Sequence, residues 1–138
     1  MKTTAKKNGV YIVGGSISEV TDDGSYYNTS LVFDPNGEII NEYRKIHLFD
    51  IDIPGKIRSK ESETFKPGNK ISTFQTKFGT MGLAICYDIR FPELSAILAA
   101  RGAKVIFYPG QFNLTTGPLH WELLNRLRAV DNQVINIS

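Results

Sequence analysis

The chain has 138 residues, 41% of them hydrophobic and 22% charged, with a formal net charge of +2. That is the size and balance of one globular domain. Its 16 Lys and Arg are interspersed with 14 Asp and Glu, which argues against a charge-driven grip on nucleic acid. Apolar runs such as Gly82-Leu83-Ala84-Ile85-Cys86 fall far short of the ~20 residues of a membrane span.

In chain order, Met1 to Lys7 is basic but lacks the apolar core of a secretion signal, and a single cysteine makes no internal disulfide. A cytoplasmic protein is expected, in which the N-x-S/T triplets at Asn28 and Asn113 are chance. Val10 to Val13 reads as a buried strand running into Gly14-Gly15, with no helix to pair it. Tyr27 to Phe33 and Glu38 to Arg44 read as strands. Asp34-Pro35-Asn36-Gly37 joins them, Pro supplying a fixed φ and Gly a left-handed closing position, which predicts a β-hairpin. From Ile46 to Lys70 periodicity fails and a long loop is expected, a feature that is usually functional in a compact domain.

Ile71 to Gln75 and Met81 to Cys86 read as strands turned around Phe78-Gly79. Pro92 suits the first turn of a helix carrying Leu94, Ile97, Leu98 and Arg101, which Gly102 closes. Lys104 to Tyr108 is a buried strand. Thr115 or Thr116 can cap a helix with Pro118 in its first turn. Trp121, Leu124 and Leu127, with Leu123 and Val130, give that helix an apolar face. Gln133 to Ser138 begins a further strand. Alternating strands and helices in the second half indicate an α/β fold. The abrupt ends predict an excerpt rather than a complete domain.

Two residues stand out chemically. Cys86 closes an apolar strand just before a turn and a helix. Such a corner exposes a side chain, aims backbone N–H groups at one point and favours a thiolate. From the residue alone, a buried structural cysteine is the commoner reading. Lys45 also ends a strand, and gains interest only beside Cys86, where an ammonium would stabilise a thiolate and a developing oxyanion. A lone cysteine lacks metal-ligand spacing. The glycines form no nucleotide-binding fingerprint. Cys86 and Arg90 are too close together for a tyrosine-phosphatase loop.

The stretches YRKIHLFDIDIPGKI (43–57), KES (60–62), GLAICYDIRFPEL (82–94), YPGQFNLTTGPLHWELL (108–124) and RAVDNQ (128–133) resemble, in order, the nitrilase superfamily of carbon–nitrogen hydrolases, and especially its omega-amidase branch. The resemblance runs from about Val10 to Ser138. It implies an αββα sandwich, here in part, and a Glu-Lys-Cys triad that forms a thioester and releases ammonia without cofactor or metal. Carried over by position, Cys86 would be the nucleophile and Lys45 its cation. The Tyr87 N–H would join Lys45 at the oxyanion, and Glu61 would position Lys45 or the attacking water. The small amide substrate would meet the loop of Phe112, Asn113 and Thr116.

His47, in the KIHLFD stretch, is expected to be structural or to line the pocket. Arg90 is open to two readings, a receptor for a substrate carboxylate or a salt bridge to Asp88 or Glu93. Trp121 reads as a packing aromatic. The helix bearing HWELL and the one after Cys86 imply a homodimer. The triad's glutamate base lies, in the family, near the end of the first strand, and no residue here stands in that motif; Glu19 follows a strand but is not part of it. The chain is therefore expected to be the central portion of a single hydrolase domain, a fragment or degraded copy. Loss of a placed base, worth ~10²–10⁴-fold, would leave it residual activity at best. The runner-up expectations are an amidase acting on deaminated glutathione and a non-catalytic remnant.

Overall fold

The computed structural model describes all 138 residues. It opens with a short helix, α1 (Lys2–Asn8), that the sequence reading lacks. Six of its seven residues are Lys, Thr or Asn, so no apolar stripe announces it; Ala5 alone is buried, and Gly9 ends it at φ 63°. The expectation that no helix accompanies the first strand is thus corrected.

Four antiparallel strands follow. The central one, β3 (Tyr26–Phe33), carries β1 (Ile12–Val13) and β2 (Ile17–Val20) along one edge and β4 (Ile39–Arg44) along the other. The predicted turn joins β3 to β4. Asp34 Oδ1 accepts from the N–H groups of Asn36 and Glu38, and Gly37 takes φ 82°. Strand β2 escapes a reading by periodicity because Ile17 and Val20, its apolar residues, are both exposed.

The segment from Ile46 to Lys70 is not the featureless loop expected from its composition. It holds a hairpin of β5 (Asp50–Ile53) and β6 (Ile57–Lys60), then a single 3₁₀ turn, Glu61–Glu63. Pro54-Gly55, read as loop punctuation, is the hairpin's turn, with Gly55 at φ 71° and the Lys56 N–H donating to the Ile53 carbonyl.

The second half builds a mixed sheet in the order β10-β9-β8-β7 from β7 (Ser72–Thr76), β8 (Gly79–Leu83), β9 (Val105–Phe107) and β10 (Ile135–Ile137). Strands β8, β9 and β10 are parallel neighbours, linked by α2 (Pro92–Ala100) and α3 (Gly117–Asn132), since parallel strands need a crossover connection. Gly82 on β8 lets α2 approach closely: a Cβ there would lie 3.4 Å from that of Leu98. On the opposite face Phe74, Met81 and Phe107 line a surface shared with Val13 of the first sheet. One core cluster spans both sheets and α2, uniting Val32 and Tyr43 with Leu83, Ile85, Leu98 and Ile106.

Helix α3 departs from its predicted form in two ways. Thr116 stands at its N-cap, as expected, but the Thr116 side chain caps no helix N–H: its hydroxyl and the N–H groups of Thr115 and Thr116 donate to Asn113 Oδ1 instead. Its apolar residues also divide between two faces. Leu124 packs against the core, whereas Leu119, Leu123, Leu127 and Val130 are exposed.

Candidate active site

Pairing along β8 continues through the Ala84 N–H, which donates to the Phe107 carbonyl, and then the chain turns sharply. Cys86 takes φ 45°, one of two non-glycine residues in the left-handed region, and opens a 3₁₀ turn, Cys86–Arg90. Such a conformation costs about 1–3 kcal/mol and persists where surroundings over-determine it. Here they do. The Cys86 N–H donates to the Pro109 carbonyl at 2.9 Å, and the thiol lies 3.4 Å from the Gln111 carbonyl. The chain after β9 thus crosses directly over the cysteine. It does so at Gly110, where a Cβ would fall 2.7 Å from Cys86 Cα.

Lys45 follows the end of β4. Its N–H donates to Asn28 and its carbonyl accepts from Gly68, each at 2.8 Å, so its backbone is held on both sides. Its side chain is 2% exposed, and the ammonium meets Glu61 Oε2 at 2.6 Å. A buried ammonium without a counter-charge would be strongly penalised, and Glu61 removes that penalty. Glu61 is itself fixed by a reciprocal pair of bonds: its N–H donates to the Phe49 carbonyl, and Oε2 accepts from the Phe49 N–H at 2.7 Å.

These residues open on one cleft of about 250 Å³. Lys45, Glu61, Cys86, Tyr87 and Arg90 line one part of it, and Phe112, Asn113 and Thr116 another. All but one of the residues singled out from sequence are therefore brought together. The exception is His47, whose ring stacks on Phe91 at 3.7 Å and whose Nδ1 lies 2.7 Å from Asp88 Oδ1. Of its two expected roles, the structural one fits. Phe49 and Gln111 also line the cleft and were not singled out. Both sit inside the quoted stretches, but only their tertiary position separates them from neighbours. A larger groove, about 460 Å³, lies between Tyr11, Phe74 and Phe107 and has no Asp, Glu, Lys, Arg, His or Cys in its lining. Its lining offers no charged side chain or thiol for nucleophilic or acid–base chemistry.

Arg90 forms neither of the salt bridges considered for it. Asp88 is occupied elsewhere, and the guanidinium instead lies 5.7 Å from the Tyr87 ring and 5.4 Å from the Phe112 ring, with Nη2 3.2 Å from His120 Nδ1. Glu19 is paired with Arg44 and Thr29; the Arg44 bond holds its carboxyl below the usual carboxylate range, and it does not line the cleft. Tyr43 and Tyr108, behind the cleft, have hydroxyls raised by burial, the latter to about 12. No group of three or more His, Cys, Asp or Glu side chains converges as a metal site would require. No helix is long and apolar enough to cross a membrane.

A strand-end lysine paired with a glutamate, facing a cysteine on a strained strand-to-helix corner, is an arrangement suited to acyl transfer. The family model for carbon–nitrogen hydrolases matches residues 1–135. The chain belongs to this family.

Within the carbon–nitrogen hydrolases, the chain is 59% identical to the omega-amidase NIT2 of Danio rerio over 134 residues, covering 97% of this chain and 48% of that protein. Its structure resembles that of Saccharomyces cerevisiae Nit3, a member of branch 10 of the nitrilase superfamily, with a TM-score of 0.86, 44% identity and coverage of 99% of this chain and 49% of that one. It also resembles a mutant amidase from Nesterenkonia sp. AN1 in which the acetamide moiety of fluoroacetamide is added covalently at the active site cysteine. There the TM-score is 0.78 and identity 25%, covering 98% of this chain and 49% of that one. The mixed fold is thus of the nitrilase type, and the chain spans about half the length of the relatives it matches.

Proposed function

We propose that this chain carries the nucleophile and cation of an omega-amidase, hydrolysing the terminal amide of short dicarboxylate monoamides such as 2-oxoglutaramate and 2-oxosuccinamate. The observation that carries the reading is a single cleft bounded by the Cys86 thiol, the Lys45 ammonium and the Glu61 carboxylate. The Cys86 thiolate attacks the amide carbon, a C–S bond forms, and the carbonyl π pair moves to oxygen. Lys45 and the Tyr87 N–H hold that oxyanion. Collapse breaks the C–N bond, and the nitrogen leaves as ammonia after taking a proton. Water then adds to the thioester carbon and returns the thiolate. The covalent cysteine adduct of the Nesterenkonia amidase supports the nucleophile's role.

Glu61 is the one carboxylate among the lining residues and is already bound to Lys45, which suits it to holding the ammonium rather than carrying protons. The proton carrier is then the glutamate that the family resemblance implies, in the part of the relatives' length that this chain does not span. The test compares ammonia release by the chain alone and by an upstream-extended form. The extended form is expected to be faster by ~10²–10⁴-fold, and equal release overturns this division of labour.

Cleft size and charge support a short anionic substrate. A volume near 250 Å³ accommodates a small substrate of this kind. Arg90, lacking a carboxylate partner, would hold the substrate's distal carboxylate. Arg90→Ala is expected to raise KM for 2-oxoglutaramate by about 10–100-fold, the worth of charge-assisted hydrogen bonds, with kcat little changed. Steady-state kinetics check this; an unchanged KM removes Arg90 from the binding site.

The exposed apolar stripe of α3 supports a homodimer paired through this helix. Leu123→Glu is expected to convert a dimeric mass to a monomeric one by light scattering, and an unaltered mass would exclude this face.

A further inference from the structure

Strands β4 and β8 lie in different sheets, so no backbone ladder sets Lys45 relative to Cys86. A side chain does. Asp88 is wholly buried, and its carboxylate receives donors from both segments. Oδ2 accepts from the Tyr43 hydroxyl at 2.7 Å and the Ile85 N–H at 2.9 Å. Oδ1 accepts from the His47 N–H at 2.9 Å and from His47 Nδ1–H at 2.7 Å. Tyr43 and His47 flank Lys45, and Ile85 immediately precedes Cys86. An ionised carboxylate offers about four lone-pair sites, and here each has a donor. Stacking of His47 on Phe91 joins the same two segments a second time. Asp88 does not line the cleft, so no step of the proposed reaction touches it.

We propose that Asp88 is a positioning residue, a buried anionic clamp that locks the Lys45 segment onto the Cys86 corner and so sets the distance from ammonium to thiol. This rests on the roles proposed above for Lys45 and Cys86. Asp88→Asn keeps the shape but replaces one acceptor oxygen with an NH₂ group facing two donors, which opens the clamp at one end.

The experiment measures alkylation of Cys86 by iodoacetamide as a function of pH, with melting temperature recorded alongside. The titratable groups sharing the cleft with Cys86 are Lys45, Glu61, Tyr87 and Arg90, and the substitution leaves all of them in the sequence. With Lys45 displaced from the cleft it shares with Cys86, alkylation near neutrality is expected to slow about tenfold. For the amide substrate, kcat is expected to fall about 100-fold with KM little changed, the effect of a small misplacement of reacting groups. Tyr43→Phe removes one donor and keeps the ring, and is expected to shift the profile the same way by less.

A folded Asp88→Asn protein with the wild-type alkylation profile reduces Asp88 to a folding residue and overturns the clamp. If that variant does not fold, an unchanged profile in Tyr43→Phe overturns it equally. Alkylation needs no substrate, so an upstream-extended form that releases no ammonia would count against the hydrolase reading while the clamp is still decided by the profile.

Discussion

Replacing Lys45 with methionine is expected to lower amide hydrolysis by about 10³-fold or more, because on the proposed mechanism the ammonium serves the thiolate and the oxyanion alike. Loss of one oxyanion donor typically costs ~10²–10³-fold, and the weaker thiolate adds to it. Methionine matches the length of the lysine stem, so packing against this 2%-exposed position is retained. The substitution has a structural side as well. It leaves Glu61 Oε2 with the Phe49 N–H as its one remaining bond partner. Glu61 keeps 22% side-chain exposure and so recovers some hydration, which limits the destabilisation to about 1–3 kcal/mol. The double variant Lys45→Met with Glu61→Gln removes the unpaired charge. It should regain most of the lost melting temperature and none of the lost activity. Ammonia release and thermal denaturation of the two proteins check this together; activity returning with stability would show that Lys45 serves the fold and not the reaction.

What the sequence made legible divides along physical lines. Local chemistry reads directly: Asp34-Pro35-Asn36-Gly37 can scarcely do other than turn, and Pro92 and Gly102 bound α2 because each satisfies a terminus by its own backbone. Elements whose stability comes from elsewhere do not. Helix α1 buries Ala5 alone and offers no apolar period, while β2 pairs with β3 through backbone bonds and leaves Ile17 and Val20 in solvent. The β5–β6 hairpin was hidden because Pro54-Gly55 marks a loop and a tight turn equally well.

The candidate site shows the same division. Cys86 and Lys45 are conspicuous by residue type once the family stretches are seen, and Glu61 by its place between them. Asp88 was considered only as a partner for Arg90, since nothing local indicates that its four lone-pair sites are filled by Tyr43, Ile85 and His47. His47 was drawn toward the pocket by its place in the KIHLFD stretch, whereas its ring is committed to Asp88 and Phe91. Gly110 carried no signal at all. Its significance is the absence of an atom, visible only when the chain after β9 is seen lying across the cysteine.

That absence makes Gly110→Ala the second severe substitution. An added methyl would sit 2.6 Å from Cys86 Cβ, 2.7 Å from its Cα and 3.1 Å from its Sγ. All three atoms belong to Cys86, which is pinned at φ 45° and tied to Pro109 by a 2.9 Å hydrogen bond, and the two nearest are its Cα and Cβ, so no flexible side-chain end can yield. Either the corner shifts or the loop lifts. Both move the thiol relative to Lys45 and the Tyr87 N–H, and a displacement near 1 Å costs about 100-fold in rate. Overpacking of this kind also destabilises by about 1–3 kcal/mol. Gly110→Ala is therefore expected to fold with a lowered melting temperature, to alkylate slowly at Cys86 and to release ammonia at least ~100-fold more slowly than the parent. The same methyl placed at Gly15, which has nothing within 4 Å but sits at φ 70°, should lower stability through backbone strain alone. Its activity per folded molecule should be unchanged. A Gly110→Ala protein whose kcat/KM matches the parent would mean that the crossing over Cys86 does not constrain the thiol, and the strained corner would lose its part in the reaction.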